Sequence, residues 1–151
     1  MNSFEKPLRL VIVDDSPEAL DLLENLLCDI KYVEITGRAL NASEAKKLIL
    51  RSNPDLILLD IQMPEKSGFD LIKELKELSI DINVIFITAH NEYAIKAIKA
   101  AAFDYLLKPV DQSELLESIQ RFKQNIKKEL PSKIDLLISK LENNKIGRAH
   151  V

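Results

Sequence analysis

The sequence of 151 residues contains a single cysteine, no tryptophan and only three glycines. One cysteine excludes an intramolecular disulfide, which is consistent with a reducing cytoplasm. Cys28 lies among leucines in a helical pattern, so we expect a buried and unreactive thiol there. No glycine-rich P-loop and no G-x-S-x-G motif occurs, so the nucleotide and hydrolase sites that depend on those motifs are not expected.

Long apolar runs and an excess of positive charge are also missing. No run approaches the roughly 18 apolar residues of a membrane span, and the first residues lack the organisation of a signal peptide. The 21 basic residues against 24 acidic ones give a net charge of -3, which disfavours a nucleic-acid surface on this chain. With 46% hydrophobic and 30% charged residues, we expect a globular cytoplasmic domain without membrane contact.

Short apolar segments alternate five times with helical patterns. Ser16 and Pro17 supply an N-cap and a first helical residue after the first segment, and Asn41 and Glu44 form a second capping pair. Several apolar segments lack alternation, which is typical of strands covered by helices on both faces. The pattern predicts a doubly wound α/β fold with a parallel sheet. Strands are predicted at 8–13, 33–39, 56–59, 84–88 and 105–107, and helices at about 17–30, 41–52, 71–78, 92–100 and 111–126.

Polar residues of related chemistry stand at the ends of four of these strands. Asp14 and Asp15 follow the first, Asp60 the third, Thr88 ends the fourth and Lys108 follows the fifth. Because ligands of open parallel sheets bind beyond the carboxyl ends of the strands, we expect these side chains to converge. Neighbouring carboxylates need a compensating cation, and Mg²⁺ prefers oxygen ligands. A carboxylate nucleophile, a lysine, a hydroxyl and a metal together satisfy the demands of phosphoryl transfer.

Lys108 is followed by Pro109. A peptide bond before proline is the one place where the cis isomer is energetically accessible, so this bond is a candidate cis peptide. A cis bond here would aim the lysine side chain back across the strand ends.

Four segments carry a family resemblance: DDS at 14–16, DIQMPEKSGFD at 60–70, TAH at 88–90 and LLKPVD at 106–111. They resemble the receiver domains of two-component response regulators, over about residues 8–127. The resemblance implies a flavodoxin-like (βα)5 fold with sheet order 2-1-3-4-5. It also implies a switch in which a sensor histidine kinase phosphorylates the domain, and the surface around the fourth helix, fifth strand and fifth helix changes.

The resemblance further assigns the metal and phosphoryl-binding residues. Asp60 is implied as the phosphorylated aspartate, and Asp14, Asp15, Asp60 and the backbone carbonyl of Gln62 as Mg²⁺ ligands. Lys108 would pair with the phosphoryl group.

The same resemblance assigns the residues that respond to phosphorylation. Thr88 would hydrogen-bond the phosphoryl group and draw the loop after the fourth strand inward. Tyr105 matches the switch aromatic, whose alternative is a fixed aromatic at the edge of the core. Gln62 and His90 stand two residues after Asp60 and Thr88, positions that tune dephosphorylation, and His90 is alternatively an exposed loop histidine. Gly68 matches the small residue after the phosphorylation site.

The segment HNEYAIKAIKAAAFDYLLKPVD at 90–111 is similar to receivers whose output is a LytTR-type DNA-binding domain, as in LytR- and AgrA-like regulators. We therefore predict a receiver domain at residues 1–129 and a linker helix or tail at 130–151, with the output domain absent. DNA would be bound only through that missing domain, and a homodimer on activation is possible. The ending GRAHV has no explanation in this scheme.

Three alternatives remain at this stage. The first is a stand-alone receiver that acts through protein–protein interaction or a phosphorelay. The second is a Mg²⁺-dependent phosphatase with an aspartyl nucleophile, which commonly places a second aspartate where Gln62 stands. The third is a flavin-binding protein of the same fold, whose phosphate loop is replaced by DDSPEAL. We expect no enzyme beyond catalysis of its own phosphorylation and dephosphorylation.

Overall fold

The computed structural model describes residues 6–127, in which strands and helices alternate five times. The five strands are parallel and lie in the order β2-β1-β3-β4-β5, so the predicted fold class and sheet order are confirmed. The predicted tail at 130–151 lies outside the described residues. The elements are β1 Leu8–Val13, α1 Pro17–Leu27, β2 Val33–Ala39, α2 Ala42–Ser52, β3 Leu56–Leu59, α3 Gly68–Glu77, β4 Val84–Thr88, α4 Ala94–Lys99, β5 Asp104–Leu107 and α5 Gln112–Lys127.

The chain divides into two compact units, Met1–Leu116 and Glu117–Val151. The whole sheet and every side chain of the candidate site belong to the first unit. Within residues 6–127, no helix combines the length and the apolar character that crossing a membrane requires.

The central strands are buried on both faces. In β3, all four residues from Leu56 to Leu59 are fully buried, and Phe86 in the neighbouring β4 is fully buried as well. Side chains of a strand alternate between the two faces, so burial of every position means that both faces are covered, as the uninterrupted apolar runs predicted. Each fully buried aliphatic side chain contributes about 1.5–3 kcal/mol to the hydrophobic free energy of folding.

Side-chain caps define where the helices begin. The Ser16 hydroxyl accepts a hydrogen bond from the Ala19 amide, and the Asn41 side chain accepts one from the Glu44 amide at 2.8 Å. Both caps were predicted from the sequence. The reciprocal pair of Ser67 and Asp70 before α3 was not, because the usual sequence signal places Glu or Gln at the third helical position.

Helix ends were predicted less well. Helix α1 ends at Leu27, three residues before the predicted end, and α4 covers only Ala94–Lys99. The expectation of a buried Cys28 was wrong, because its side chain is exposed. Successive helical residues are turned by about 100°, so the residue after the buried Leu27 faces away from the core.

Candidate functional site

The backbone ladder of the sheet continues for one residue past three strands. The Asp14 amide donates to the Ala39 carbonyl at 3.2 Å, and the Asp60 amide donates to the Val13 carbonyl at 3.0 Å. At the other side of the site, the Lys108 amide donates to the Thr88 carbonyl at 2.8 Å. These bonds fix Asp14, Asp60 and Lys108 at one edge of the sheet, as the strand order requires.

Three carboxylates converge at this edge. One carboxylate oxygen from each of Asp14, Asp15 and Asp60 lies within 4.8 Å of the others. Asp14 and Asp60 are buried, with 2% and 7% of their surfaces exposed, whereas Asp15 is exposed. The predicted acidic cluster is therefore present, and its oxygens form a donor set of the kind that binds a hard divalent cation.

Lys108 lies between the two buried carboxylates. Its Nζ is 2.6 Å from Asp14 Oδ2 and 3.0 Å from Asp60 Oδ2. The other oxygens are held by the backbone, since the Ser16 amide donates to Asp14 Oδ1 at 3.0 Å and the Ile61 amide to Asp60 Oδ1 at 2.7 Å. Each aspartate thus presents its Oδ2 to the same ammonium group.

Burial and charge act in opposite directions on the pKa values of this group. Burial raises the pKa of Asp14 above its ordinary value, and the hydrogen bonds from Lys108 and Ser16 only partly offset that effect. Burial lowers the pKa of Lys108, but the hydrogen bonds to Asp14 and Asp60 outweigh it and the net pKa is raised. Two carboxylates stabilise the charged form of Lys108. Asp14, in contrast, shares a single ammonium group with Asp60 and is the more deeply buried of the two aspartates. Burial therefore disfavours the ionised form of Asp14 relative to that of an exposed carboxyl group.

The buried Thr88 ends β4 at the same edge. Its Oγ1 accepts a long hydrogen bond of 3.4 Å from the His90 amide. The peptide bond between Lys108 and Pro109, the sequence candidate for a cis bond, is cis.

Two tyrosine hydroxyls link the loop between β4 and α4 to neighbouring elements. The half-buried Tyr105 donates from its hydroxyl to the His90 carbonyl, and its ring lies 6.3 Å from that of Phe86. Gln62 donates from Nε2 to the Tyr93 hydroxyl at 2.9 Å. His90 directs its Nδ1 to Glu92 Oε1 at 3.2 Å. Tyr93 was not identified from the sequence, because no pattern indicates which loop residue reaches across to a neighbouring loop.

Gly68 packs directly against the backbone of Asp60. Its amide donates to the Ile61 carbonyl at 2.8 Å, and a Cβ at this position would lie 2.5 Å from the Asp60 carbonyl oxygen. The loop from 60 to 68 therefore folds back so closely that a residue without a side chain is required. The sequence singled out this glycine, but only the structure shows what it touches.

An apolar cavity of about 360 Å³ adjoins the site. Asp14 and Lys108 form its polar end. The rest of its wall is mainly aliphatic and includes Leu22, Leu23, Ile87 and Val110.

The family comparison and the comparison with individual proteins agree with each other. The response regulator receiver domain family matches residues 10–120. An uncharacterized response regulatory protein of Vibrio cholerae is 40% identical over 121 residues, which cover 80% of this chain and 51% of that protein. The sensory transduction protein LytT of Bacillus cereus is 33% identical over 129 residues, 85% of this chain and 52% of that protein. The transcriptional regulatory protein BtsR of Escherichia coli is 38% identical over 122 residues, 81% and 51% respectively.

The solved structures similar to this chain include domains of response regulators. The response regulatory domain of protein mrkE from Klebsiella pneumoniae has a TM-score of 0.73 at 28% identity, covering 80% of this chain and 99% of that one. The REC domain of AraT, a response regulator from Geobacillus stearothermophilus, has a TM-score of 0.70 at 30% identity, covering 81% and 97%. The chain spans about half the length of the curated relatives it matches. With the family matched over most of its length and the acidic edge of the sheet in place, the chain belongs to the response regulator receiver domain family.

Proposed function

We propose that this domain is a phosphoryl-accepting switch in which Asp60 takes a phosphoryl group from the phosphohistidine of a sensor kinase. The observation that carries the proposal is the position of the Lys108 ammonium, within 3.0 Å of the buried carboxylates of both Asp14 and Asp60. A buried ion pair is weak evidence for stability, because desolvation cancels much of the attraction. A cluster of this kind is better explained by the chemistry it supports.

The nucleophile follows from the hydrogen bonds of Asp60. Oδ1 accepts from the Ile61 backbone amide at 2.7 Å, whereas Oδ2 faces the Lys108 ammonium at 3.0 Å, and Oδ2 is the proposed attacking oxygen. Oδ2 forms a bond to phosphorus while the phosphorus–nitrogen bond of the kinase phosphohistidine breaks, and the imidazole recovers its electron pair. The product is an acyl phosphate, which water hydrolyses back to the carboxylate and inorganic phosphate.

The donor set fits Mg²⁺. Three carboxylate oxygens lie within 4.8 Å of one another, and burial raises the pKa of Asp14, so a cation beside these oxygens would favour their ionised forms. Asp14, Asp15, Asp60 and the backbone carbonyl of Gln62 would hold the ion. When bound, Mg²⁺ would neutralise charge on the phosphoryl oxygens.

Lys108 and Thr88 complete the proposed site. The Lys108 ammonium already contacts Asp60 Oδ2, so it is placed to neutralise a phosphoryl oxygen on that atom. Thr88 Oγ1 has only a 3.4 Å contact with the His90 amide, and its hydroxyl is the proposed donor to a second phosphoryl oxygen. If Thr88 moved toward the phosphoryl group, it would pull the loop between β4 and α4 with it. The His90 carbonyl in that loop accepts the hydrogen bond from the Tyr105 hydroxyl.

The proposed output surface includes α4 and β5. Ile95 and Ile98 on α4 are 70% and 76% exposed, and Leu107 on β5 is 45% exposed. Exposed aliphatic side chains on adjacent elements are typical of an interaction surface. We propose that phosphorylation changes this surface and with it the balance between monomer and homodimer.

The relatives suggest what the switch controls. BtsR is named a transcriptional regulatory protein and LytT a sensory transduction protein, and both are about twice as long as the segment matched here. We propose a transcriptional output through a DNA-binding domain of the LytTR type, which the sequence at 90–111 also favours.

The apolar cavity beside Asp14 and Lys108 is the proposed contact for the kinase. The kinase phosphohistidine would approach Asp60 from this edge of the sheet, and the aliphatic side chains of Leu22 and Val110 would offer the kinase an apolar contact surface.

Phosphorylation tests the proposal directly. With a small acyl phosphate and Mg²⁺, we expect the intact mass of the protein to increase by one phosphoryl group. Asp60→Asn should abolish the increase, because an amide is not nucleophilic toward phosphorus. Asp81→Asn, which removes an exposed carboxylate outside the cluster, is the matched control and should be labelled normally. Labelling that persists in Asp60→Asn would refute the assignment.

A further inference from the structure

Tyr93 connects the loops that follow β3 and β4. Its hydroxyl accepts a hydrogen bond of 2.9 Å from the Nε2 of Gln62, which lies two residues after Asp60. Gln62 is exposed, and an exposed amide in a loop would otherwise sample many rotamers. The tyrosine hydroxyl therefore selects one orientation of the amide beside the candidate phosphorylation site.

The tyrosine ring is itself fixed by aromatic contacts. Its centroid lies 6.1 Å from that of Phe69 and 5.9 Å from that of His90, both in edge-to-face geometry. Phe69 in turn lies 4.9 Å from Phe86, which is fully buried in β4. A continuous aromatic row thus connects the core to the Tyr93 hydroxyl. Offset and edge-to-face pairs of this kind are favourable and directional.

We infer that Tyr93 is a positioning residue for dephosphorylation and acts through Gln62; this inference rests on the proposed phosphorylation of Asp60. Because Tyr93 engages the amide nitrogen of Gln62, the amide oxygen Oε1 remains as an acceptor for a water molecule. His90, on the loop after β4, is directed at Glu92 through Nδ1. Gln62 is therefore the better placed of the two to orient water.

The step balances without another reactant. The water oxygen bonds to phosphorus and the bond from phosphorus to the Asp60 oxygen breaks, which restores the carboxylate and releases inorganic phosphate. The water gives up its proton to solvent or to the phosphate produced. Gln62 only accepts a hydrogen bond from that water and holds it in line, so Tyr93 changes the rate through the orientation of the amide.

The test compares the lifetime of the phosphorylated form of four proteins: the parent chain, Tyr93→Phe, Gln62→Ala and the double variant. Tyr93→Phe keeps the ring and its contacts and removes the hydroxyl. Each protein is phosphorylated with a small acyl phosphate and Mg²⁺, the donor is removed, and intact mass is followed with time. Tyr32→Phe, which removes a hydroxyl outside these loops, is the matched control, and thermal unfolding checks that each variant is folded.

We expect Tyr93→Phe to lengthen the lifetime by about two- to tenfold, the effect of losing one ordinary hydrogen bond. In the Gln62→Ala background the same change should have no effect, because the amide through which Tyr93 acts is gone. A purely structural role of Tyr93 would lengthen or shorten the lifetime equally in both backgrounds.

Several results overturn the inference. An unchanged or shortened lifetime in Tyr93→Phe, with normal phosphorylation, would defeat it and leave the proposed function intact. An effect of equal size in the Gln62→Ala background would show that Tyr93 acts independently of Gln62. Failure of the parent chain to take up phosphate would defeat the proposed function and, with it, this inference.

Discussion

The Nζ of Lys108 lies 2.6 Å from the Oδ2 of Asp14, a residue 94 positions earlier in the chain. The ammonium is shared, because Asp60 Oδ2 lies 3.0 Å from the same nitrogen. One positive charge therefore faces two buried negative charges, with a third carboxylate, Asp15, close by. The site is short of positive charge, and this imbalance has consequences for stability that can be measured.

Asp14→Asn should stabilise the metal-free protein at neutral pH. Burial raises the pKa of Asp14 in the folded state above the ordinary value of 3.8. The contribution of this group to stability is therefore fully present below pH 3.8 and is lost as the pH rises through the higher pKa of the folded state. Asparagine resembles the protonated form at every pH. Urea unfolding without Mg²⁺ should give a higher midpoint for the variant at pH 7, and the difference should shrink toward pH 4.

A matched control separates this effect from a general change in net charge. Asp81 is exposed on the connection between α3 and β4, and Asp81→Asn alters net charge by the same amount. Its midpoint should follow that of the parent protein across the pH range. A lower midpoint for Asp14→Asn at pH 7 would mean that the hydrogen bond to Lys108 outweighs the cost of burial.

Mg²⁺ should stabilise the parent protein, and Asp15→Asn should remove most of that effect. Asp15 is exposed and contributes an oxygen to the acidic cluster, so its loss weakens cation binding without disturbing the contacts between Lys108, Asp14 and Asp60. A ligand at about ten times its Kd adds roughly 1.4 kcal/mol, which raises the Tm of a domain of this size by about 4–6 °C. Differential scanning calorimetry with and without Mg²⁺ measures the shift. An equal shift in Asp15→Asn would place the ion elsewhere.

Gly68→Ala should destabilise the domain by about 1–3 kcal/mol, the usual cost of overpacking. The added Cβ would lie 2.5 Å from the Asp60 carbonyl oxygen, and backbone atoms there have little room to move. Gly37→Ala is the matched control, because its Cβ would meet the terminal carbons of Leu48, a side chain that can rotate. Urea unfolding compares the two variants. The proposed phosphorylation of Asp60 should slow only in Gly68→Ala, and equal behaviour of the two variants would rule out a specific role for this contact.

The convergence of the polar residues was predictable from one regularity of parallel sheets, whereas the strand order was expected only from the resemblance to receiver domains. Strands with apolar runs must be covered on both faces, and the residue after each strand then lies at a common edge. Asp14, Asp60 and Lys108 follow this rule. The hydrogen bonds that continue the sheet ladder for one residue beyond β1, β3 and β5 explain why it holds here.

Helix ends and contacts between loops could not be predicted from the sequence in the same way. The exposed Cys28 and the short α4 depend on where a helix stops, which is decided by packing as much as by the residues of the helix. The hydrogen bond between Gln62 and Tyr93 joins residues 31 positions apart on two loops, and neither residue carries a periodic pattern. The resemblance identified Gly68 as a small residue, but its close approach to the Asp60 carbonyl could not be predicted, because it depends on how the whole loop folds back.

Tyr105→Phe should loosen the loop between β4 and α4 while leaving the sheet unchanged. The hydroxyl of Tyr105 donates to the His90 carbonyl, whereas its ring packs 6.3 Å from that of Phe86 and is retained in the variant. His90 also contacts β4, through the long 3.4 Å bond from its amide to Thr88 Oγ1. Loss of one hydrogen bond, about 0.5–1.5 kcal/mol, should raise amide hydrogen exchange in residues 89–93 by about two- to tenfold. Exchange in Leu56–Leu59 of β3 serves as the internal reference and should not change, because those strand residues are fully buried. Unchanged exchange in the loop would show that the hydroxyl does not restrain it, and would remove the physical link proposed between Thr88 and the surface of α4 and β5.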